Sequence, residues 1–188
     1  MSKKRKLLID TSLDLFYSNS INSIGINEIL KTSGVAKQTL YSHFESKESL
    51  ILSALQQRHT NFIEWLKTKL DGVDSNEQLI IRLFNALESW FRNSESMLGD
   101  FHGCFFINSA SEFNNKQSNI SLFCKQHKHE VRETIKQYMS QENLFLLDAI
   151  CIMKEGAITN AYVSGDYSSA IKCIRILKQY ENNTAFTD

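Results

Sequence analysis

Apolar side chains recur along this chain at three- and four-residue steps, separated by short polar stretches, and that period predicts helices from end to end. Lys3–Ser18 carries Leu8, Ile9, Leu13, Leu15 and Phe16 at helical spacing, and a loop, Asn19–Gly25, follows with Gly25 as a cap. Ile26, Ile29 and Leu30 fall on one face of a short helix, Ile26–Thr32. Ser33-Gly34 breaks it, since glycine accepts the left-handed conformation that ends a helix tightly. A second short helix, Ala36–His43, is anchored by Leu40. Ser46 caps a long helix to Leu70, with Leu50, Leu55, Phe62, Trp65, Leu66 and Leu70 on its buried side and Asp71-Gly72 as its stop.

The pattern continues in the same style. Asp74 and Glu77 have capping-box spacing before a helix at Ser75–Asn93, whose stripe is Leu79, Ile80, Leu83, Phe84, Leu87, Trp90 and Phe91. A loop at Ser94–Gly103 leads to a short apolar helix, Cys104–Phe113, and Asn114–Ser118 is a polar linker. Asn119–Gln141 turns Ile120, Phe123, Cys124, Val131, Ile135 and Tyr138 inward. Leu144–Val163 and Ser168–Tyr180 complete the set, separated by Gly165-Asp166. The fold class is therefore all-α with about nine helices, and the absence of proline with only seven glycines in 188 residues agrees. The expected boundary lies inside the long fourth helix, dividing residues 1–50 from residues 51–188.

Two short helices joined by a glycine turn, the second of them polar, make a helix-turn-helix. Lys37, Gln38, Thr39, Tyr41, Ser42 and His43 offer one ammonium, two hydroxyls, an amide, a phenol and an imidazole. Such groups bond to phosphates and to base edges in a major groove. The plainer alternative is a helical hairpin buried in a core. Charge distribution favours the first reading slightly. Residues 1–60 hold 8 Lys/Arg against 5 Asp/Glu, whereas the whole chain is neutral. The Lys3-Lys4-Arg5-Lys6 start can serve as a flexible arm on a phosphate backbone or as a solvated tail.

The run Gly34-Val35-Ala36-Lys37-Gln38-Thr39-Leu40-Tyr41-Ser42-His43-Phe44, then Ser46-Lys47-Glu48-Ser49-Leu50, resembles the TetR (tetracycline-repressor-like) family of bacterial transcriptional regulators. The match spans about Lys6–Leu52. It departs at Ala36, where the family has Ser or Thr, so the second helix lacks a side-chain cap worth on the order of 1 kcal/mol. It departs also at Gln38, in place of a common Gly, and at Leu30, in place of a small residue. The resemblance implies an N-terminal three-helix DNA-binding domain followed by a helical effector-binding and dimerisation domain. It implies a phosphate contact at Lys47 and a homodimer on a palindromic double-stranded operator. Gly103–Phe113 resembles a subset of the same family in which this helix lies beside the effector cavity.

The candidate cavity residues are Trp65, Trp90, Phe91, Phe105, Phe106 and Phe123, with His102, Asn108 and His127 as polar anchors, for a small and largely apolar effector. Most aromatics at such spacing are core. The last two helices carry Leu147, Ile150, Cys151, Lys154, Ala157, Ile158, Ala161, Ile171, Ile174 and Leu177 in one stripe. The resemblance makes that stripe a dimer interface; packing on the chain's own body explains the same pattern.

Other chemistry is sparse. Cys124 and His127 lie one helical turn apart, but two ligands do not make a metal site, and no metal or cofactor is expected. Cys104 reads either as a thiol sensor or as a buried core cysteine. There is no phosphate loop, GxSxG, HExxH or paired-cysteine set, so an enzyme is not expected. Four dispersed cysteines suit a reducing cytoplasm, and no apolar run is long enough for a signal peptide or membrane span. The expected function is a ligand-responsive repressor. The alternative is an architectural or division-control DNA-binding protein on the same fold, without an effector.

Overall fold

The computed structural model describes the backbone of residues 2–184 and the side chains of residues 2–179, and among these residues there are nine helices and no strand. They are α1 (Lys3–Ser18), α2 (Ile26–Ser33), α3 (Lys37–His43), α4 (Lys47–Leu70), α5 (Asn76–Phe91), α6 (Phe105–Glu112), α7 (Asn119–Gln137), α8 (Leu144–Ser164) and α9 (Ser169–Thr184). None among the described residues is long and apolar enough to cross a membrane.

Local chemistry sets most of the boundaries. The Ser2 hydroxyl accepts from the Arg5 N–H at 3.1 Å and starts α1. Ser46 and Ser49 cap α4 reciprocally: the Ser49 N–H donates to Ser46 Oγ at 3.1 Å, and the Ser46 N–H to Ser49 Oγ at 3.2 Å. The capping box expected at Asp74 and Glu77 does not form. Ser75 holds the N-cap of α5, accepting from the Gln78 N–H, and the Glu77 carboxylate pairs with Lys178 at 2.5 Å instead. Helix α7 ends at Gln137, four residues short of the expected Gln141. There the N–H groups of Tyr138 and Met139 turn to i−3 carbonyls, and the Ser140 N–H is taken by the Asn76 side chain at 3.0 Å.

The chain forms two compact units. The first comprises residues up to 60 together with 105–128; the second comprises 61–104 and residues from 129 onward. Helices α4 and α7 each supply residues to both. This division differs from the one expected near residue 50, because α6 and the first half of α7 group with the three front helices.

In the first unit, Leu8, Leu13, Phe16, Ile21, Ile29, Leu40 and Leu50 form a core with little or no solvent exposure, and α2 and α3 pack on α1. In the second unit α5 packs against α8 and α9. Leu79, Ile80, Leu83, Phe84 and Leu87 are fully buried there with Leu147, Ile150 and Ala170. Each such aliphatic or aromatic side chain contributes about 1.5–3 kcal/mol by leaving water. The buried Ser169 hydroxyl donates to the Ala157 carbonyl at 3.0 Å and ties α9 to α8.

Candidate DNA-binding surface and cavities

Helix α3 is held from several sides, and this fixes which of its side chains face water. Gly34 ends α2 at φ 68°, a left-handed conformation, with its N–H on the Leu30 carbonyl at 2.9 Å. Leu40 has no exposed surface, so its truncation to alanine costs about 2–5 kcal/mol. Phe44 ends the helix buried, beneath the Arg5 guanidinium at 5.0 Å from its ring centre. His43 Nε2 lies 3.2 Å from Ser2 Oγ, the same hydroxyl that caps α1. Ala36 is the N-cap and brings no side-chain hydrogen bond.

Of the expected contact residues, Lys37, Gln38, Tyr41 and Ser42 are exposed, and Thr39 and His43 are half-buried. The Ser42 hydroxyl already donates to the Thr39 carbonyl at 2.8 Å. Lys47 is placed differently from an open phosphate contact. Its ammonium turns inward, donates to the Ile21 carbonyl at 2.7 Å and lies 5.9 Å from the Phe16 ring centre. Burial lowers its pKa below the ordinary lysine value, and the Glu112 charge opposes that shift. Nor is the basic start a flexible arm. Lys3–Arg5–Lys6 form the first turns of α1, with Arg5 donating to Ser53 Oγ at 3.4 Å and Lys6 paired with Asp10 at 2.5 Å.

Sequence reasoning did not find Glu112. This last residue of α6 grips the α1–α2 turn: its carboxylate accepts the N–H of Ile21 at 2.9 Å and of Asn22 at 2.7 Å. Lys47 and Glu112 thus hold opposite polarities of one turn, the carbonyl of Ile21 and the N–H groups of Ile21 and Asn22. The partners are some 90 residues apart, and no local pattern announces the pairing.

The candidate effector residues fall in two places. Trp65, Trp90 and Phe91 belong to the second unit, where their rings pack on one another and on Phe101, with Trp90 and Phe101 centroids 4.9 Å apart. Trp65 Nε1 donates to Glu95 at 2.9 Å. His102 lies beside them in sequence and is half-buried. Phe105, Phe106, Asn108, Phe123 and His127 belong to the first unit. There His127 is buried, stacks on Phe106 with centroids 3.4 Å apart, and has Nδ1 3.0 Å from Nδ1 of His59. Cys104 is buried. No group of three metal-ligating side chains occurs among the described residues.

Two cavities are lined by described residues of the first unit. One, of about 400 Å³, is lined by Arg5, Ile9, Leu52, Ser53, Gln56, Gln57 and Phe123. The other, of about 300 Å³, lies on α6 and α7, with Phe106, Ile107, Ala110 and Cys124 on its apolar side and Lys116, Lys125 and Lys128 around it.

The stripe expected at a dimer interface is largely spent inside the chain. Leu147, Ile150, Lys154, Ala157, Ile158, Ala161 and Leu177 are buried, while Cys151, Ile171 and Ile174 are half-buried. Side chains already covered by α5, α8 and α9 have no area left for a second copy. The exposed apolar residues of α8 and α9 are others, among them Phe145, Ile152, Val163 and Ile176.

A family model described as bacterial regulatory proteins of the tetR family matches residues 8–54, the segment holding α1, α2, α3 and the start of α4. Over those residues the chain is similar to the TetR family. The uncharacterised regulator YuxN of Bacillus subtilis is 36% identical over 94 residues, 47% of this chain and 32% of YuxN, so the chain spans about a third of that relative's length. The regulator AcrR of Shigella flexneri is 23% identical over 167 residues, 86% of this chain and 75% of AcrR. The fold is that of a TetR-family regulator from Streptomyces coelicolor, with a TM-score of 0.83 at 20% identity, over 95% of this chain and 88% of the other.

Proposed function

We propose that this chain is a ligand-responsive repressor that acts in the cytoplasm as a homodimer on a near-palindromic operator and is released when a small effector binds. The observation that supports the reading best is α3. Its Lys37, Gln38 and Tyr41 side chains face water while Leu40, Phe44 and the Ser2–His43 contact hold the helix on the first unit. One helix of this length touches only a few base pairs, so useful affinity and specificity need two copies. Exposed Phe145, Ile152, Val163 and Ile176 supply apolar surface on α8 and α9 for a second copy to cover. In this reading Gln38 reads a base edge, and Lys37, Tyr41 and Ser42 hold phosphates. Residues 1–50 carry the DNA contacts and the remainder carries effector response and pairing.

Selection from random duplexes, followed by sedimentation of the protein with the winning duplex, tests this. The expected result is an inverted repeat bound by two copies. A selected site with no symmetry, bound by one copy at full affinity, would overturn it.

A further inference from the structure

The α6–α7 cavity has a chemistry that the proposed regulation leaves unused. Its apolar side is Phe106, Ile107, Ala110 and Cys124, and Ile107 is 40% exposed, a large aliphatic side chain left facing water. Phe106 is a fixed wall, since its ring stacks on His127 at 3.4 Å and 10°. The polar side consists of Ser121 and three lysines, Lys116, Lys125 and Lys128, with no carboxylate among the lining residues. Lys116 and Lys125 make no ion pair with the described residues. A cavity of about 300 Å³ with one apolar wall and cations on the other side complements a small molecule that is itself divided. The apolar part of such a molecule covers Ile107 and Phe106, and its anionic head is neutralised by the lysines.

We propose that this cavity binds an amphipathic organic anion, an apolar body carrying one carboxylate or phosphate, and that its occupancy reaches the DNA-binding helices through Glu112. Helix α6 supplies both ends of that route. Phe106, Ile107 and Ala110 line the cavity, and two residues beyond Ala110 the Glu112 carboxylate holds the N–H groups of Ile21 and Asn22. A ligand that shifts α6 by a fraction of an ångström must move or break those two bonds, which fix the entry to α2. The coupling part rests on the proposed regulation; the binding part does not.

Decanoate and decyl phosphate are the probes, with decanol lacking the charge and acetate lacking the body. Calorimetric titration of the full chain should show saturable binding of at least one of the two anions, and the tighter of them identifies the head group. Decanol and acetate should bind at least about tenfold more weakly. The exposed double substitution Lys116→Glu/Lys125→Glu should weaken the anion about tenfold or more with an unchanged helical spectrum. Absence of saturable anion binding, equal binding of decanol, or an unaffected double variant overturns the site. For the route, operator affinity is measured with and without the anion. The wild type should respond, and Glu112→Ala should bind the anion normally yet lose the response. A variant that binds and still responds fully overturns the route. Operator binding without any anion is read in the same titrations, so failure of the DNA-binding reading is seen separately from failure of the site.

Discussion

Removing the Glu112 carboxylate should loosen the first unit measurably. In Glu112→Ala the N–H groups of Ile21 and Asn22 lose acceptors at 2.9 and 2.7 Å. A hydrogen bond to a charged acceptor contributes about 1.5–3 kcal/mol. The Ile21 bond is part-buried and takes that range; the Asn22 bond is exposed, water replaces its acceptor, and it counts for less. The expected loss is about 2–4 kcal/mol. For a chain of this size that lowers the melting temperature of the first unit by roughly 4–16 °C. Lys47 adds a second readout. Its burial already disfavours the charged form, and the Glu112 charge works against that shift. Without Glu112 the ammonium titrates lower still. The assay is amide exchange at Ile21 and Asn22 by NMR, together with thermal melts of Glu112→Ala and of Glu112→Gln, which keeps one uncharged acceptor. The two amides should exchange at least about tenfold faster in the alanine variant, with glutamine intermediate. Stability within about 0.5 kcal/mol of wild type, with both amides still protected, would refute the clamp.

Five further substitutions have outcomes set by the same structure. Gln38→Ala should change the preferred operator sequence, whereas Tyr41→Phe should weaken all duplexes alike, as read by selection and by anisotropy. Glu95 is pushed up by burial, but hydrogen bonds from Ser89, Lys69 and Trp65 outweigh this and hold its pKa below the ordinary carboxylate value. Its stabilisation is therefore present above the unfolded-state pKa and lost as pH falls through the folded one. Glu95→Gln should cost about 1–2 kcal/mol near neutral pH, and the gap to wild type should close in acid, as shown by urea melts across pH. Gly103→Ala should cost about 1–3 kcal/mol, because φ is +79° and an added Cβ would sit 2.8 Å from Cγ of Tyr162. Ile152→Asp places a charge on the exposed face of α8, where the residue is 72% exposed, and should shift dimers to monomers in sedimentation while leaving the monomer folded.

The helices were largely legible because their determinants are local. Leu40, Gly34 and Ser46 act within a few residues of where they stand, so the helix-turn-helix could be read directly. Asp74 and Glu77 show the limit even locally: the spacing was right, but Ser75 offered a competing cap and Lys178 a competing partner. The stripe on α8 and α9 shows a deeper one. Periodicity marks Leu147, Ile150, Ala157 and Ala161 as a covered face without saying what covers it, and α5 proves to be part of that cover. Lys47 and Glu112 were beyond sequence reading because their partners are backbone groups of a distant turn. Backbone atoms leave no residue-type signature. The α6–α7 cavity had no periodic mark either, since Lys116 lies in a linker and Lys125 and Lys128 fall outside the apolar stripe of α7.

The claim that the exposed face of α3 reads duplex DNA is tested most directly by anisotropy titration at fixed salt. The duplex selected by the protein is compared with a scrambled duplex of the same composition. The account predicts that the selected duplex binds at least about a thousandfold more tightly, and that Gln38→Ala removes a substantial part of that ratio. Equal affinity for both duplexes, or a ratio untouched by substitutions across Lys37, Gln38 and Tyr41, would contradict it.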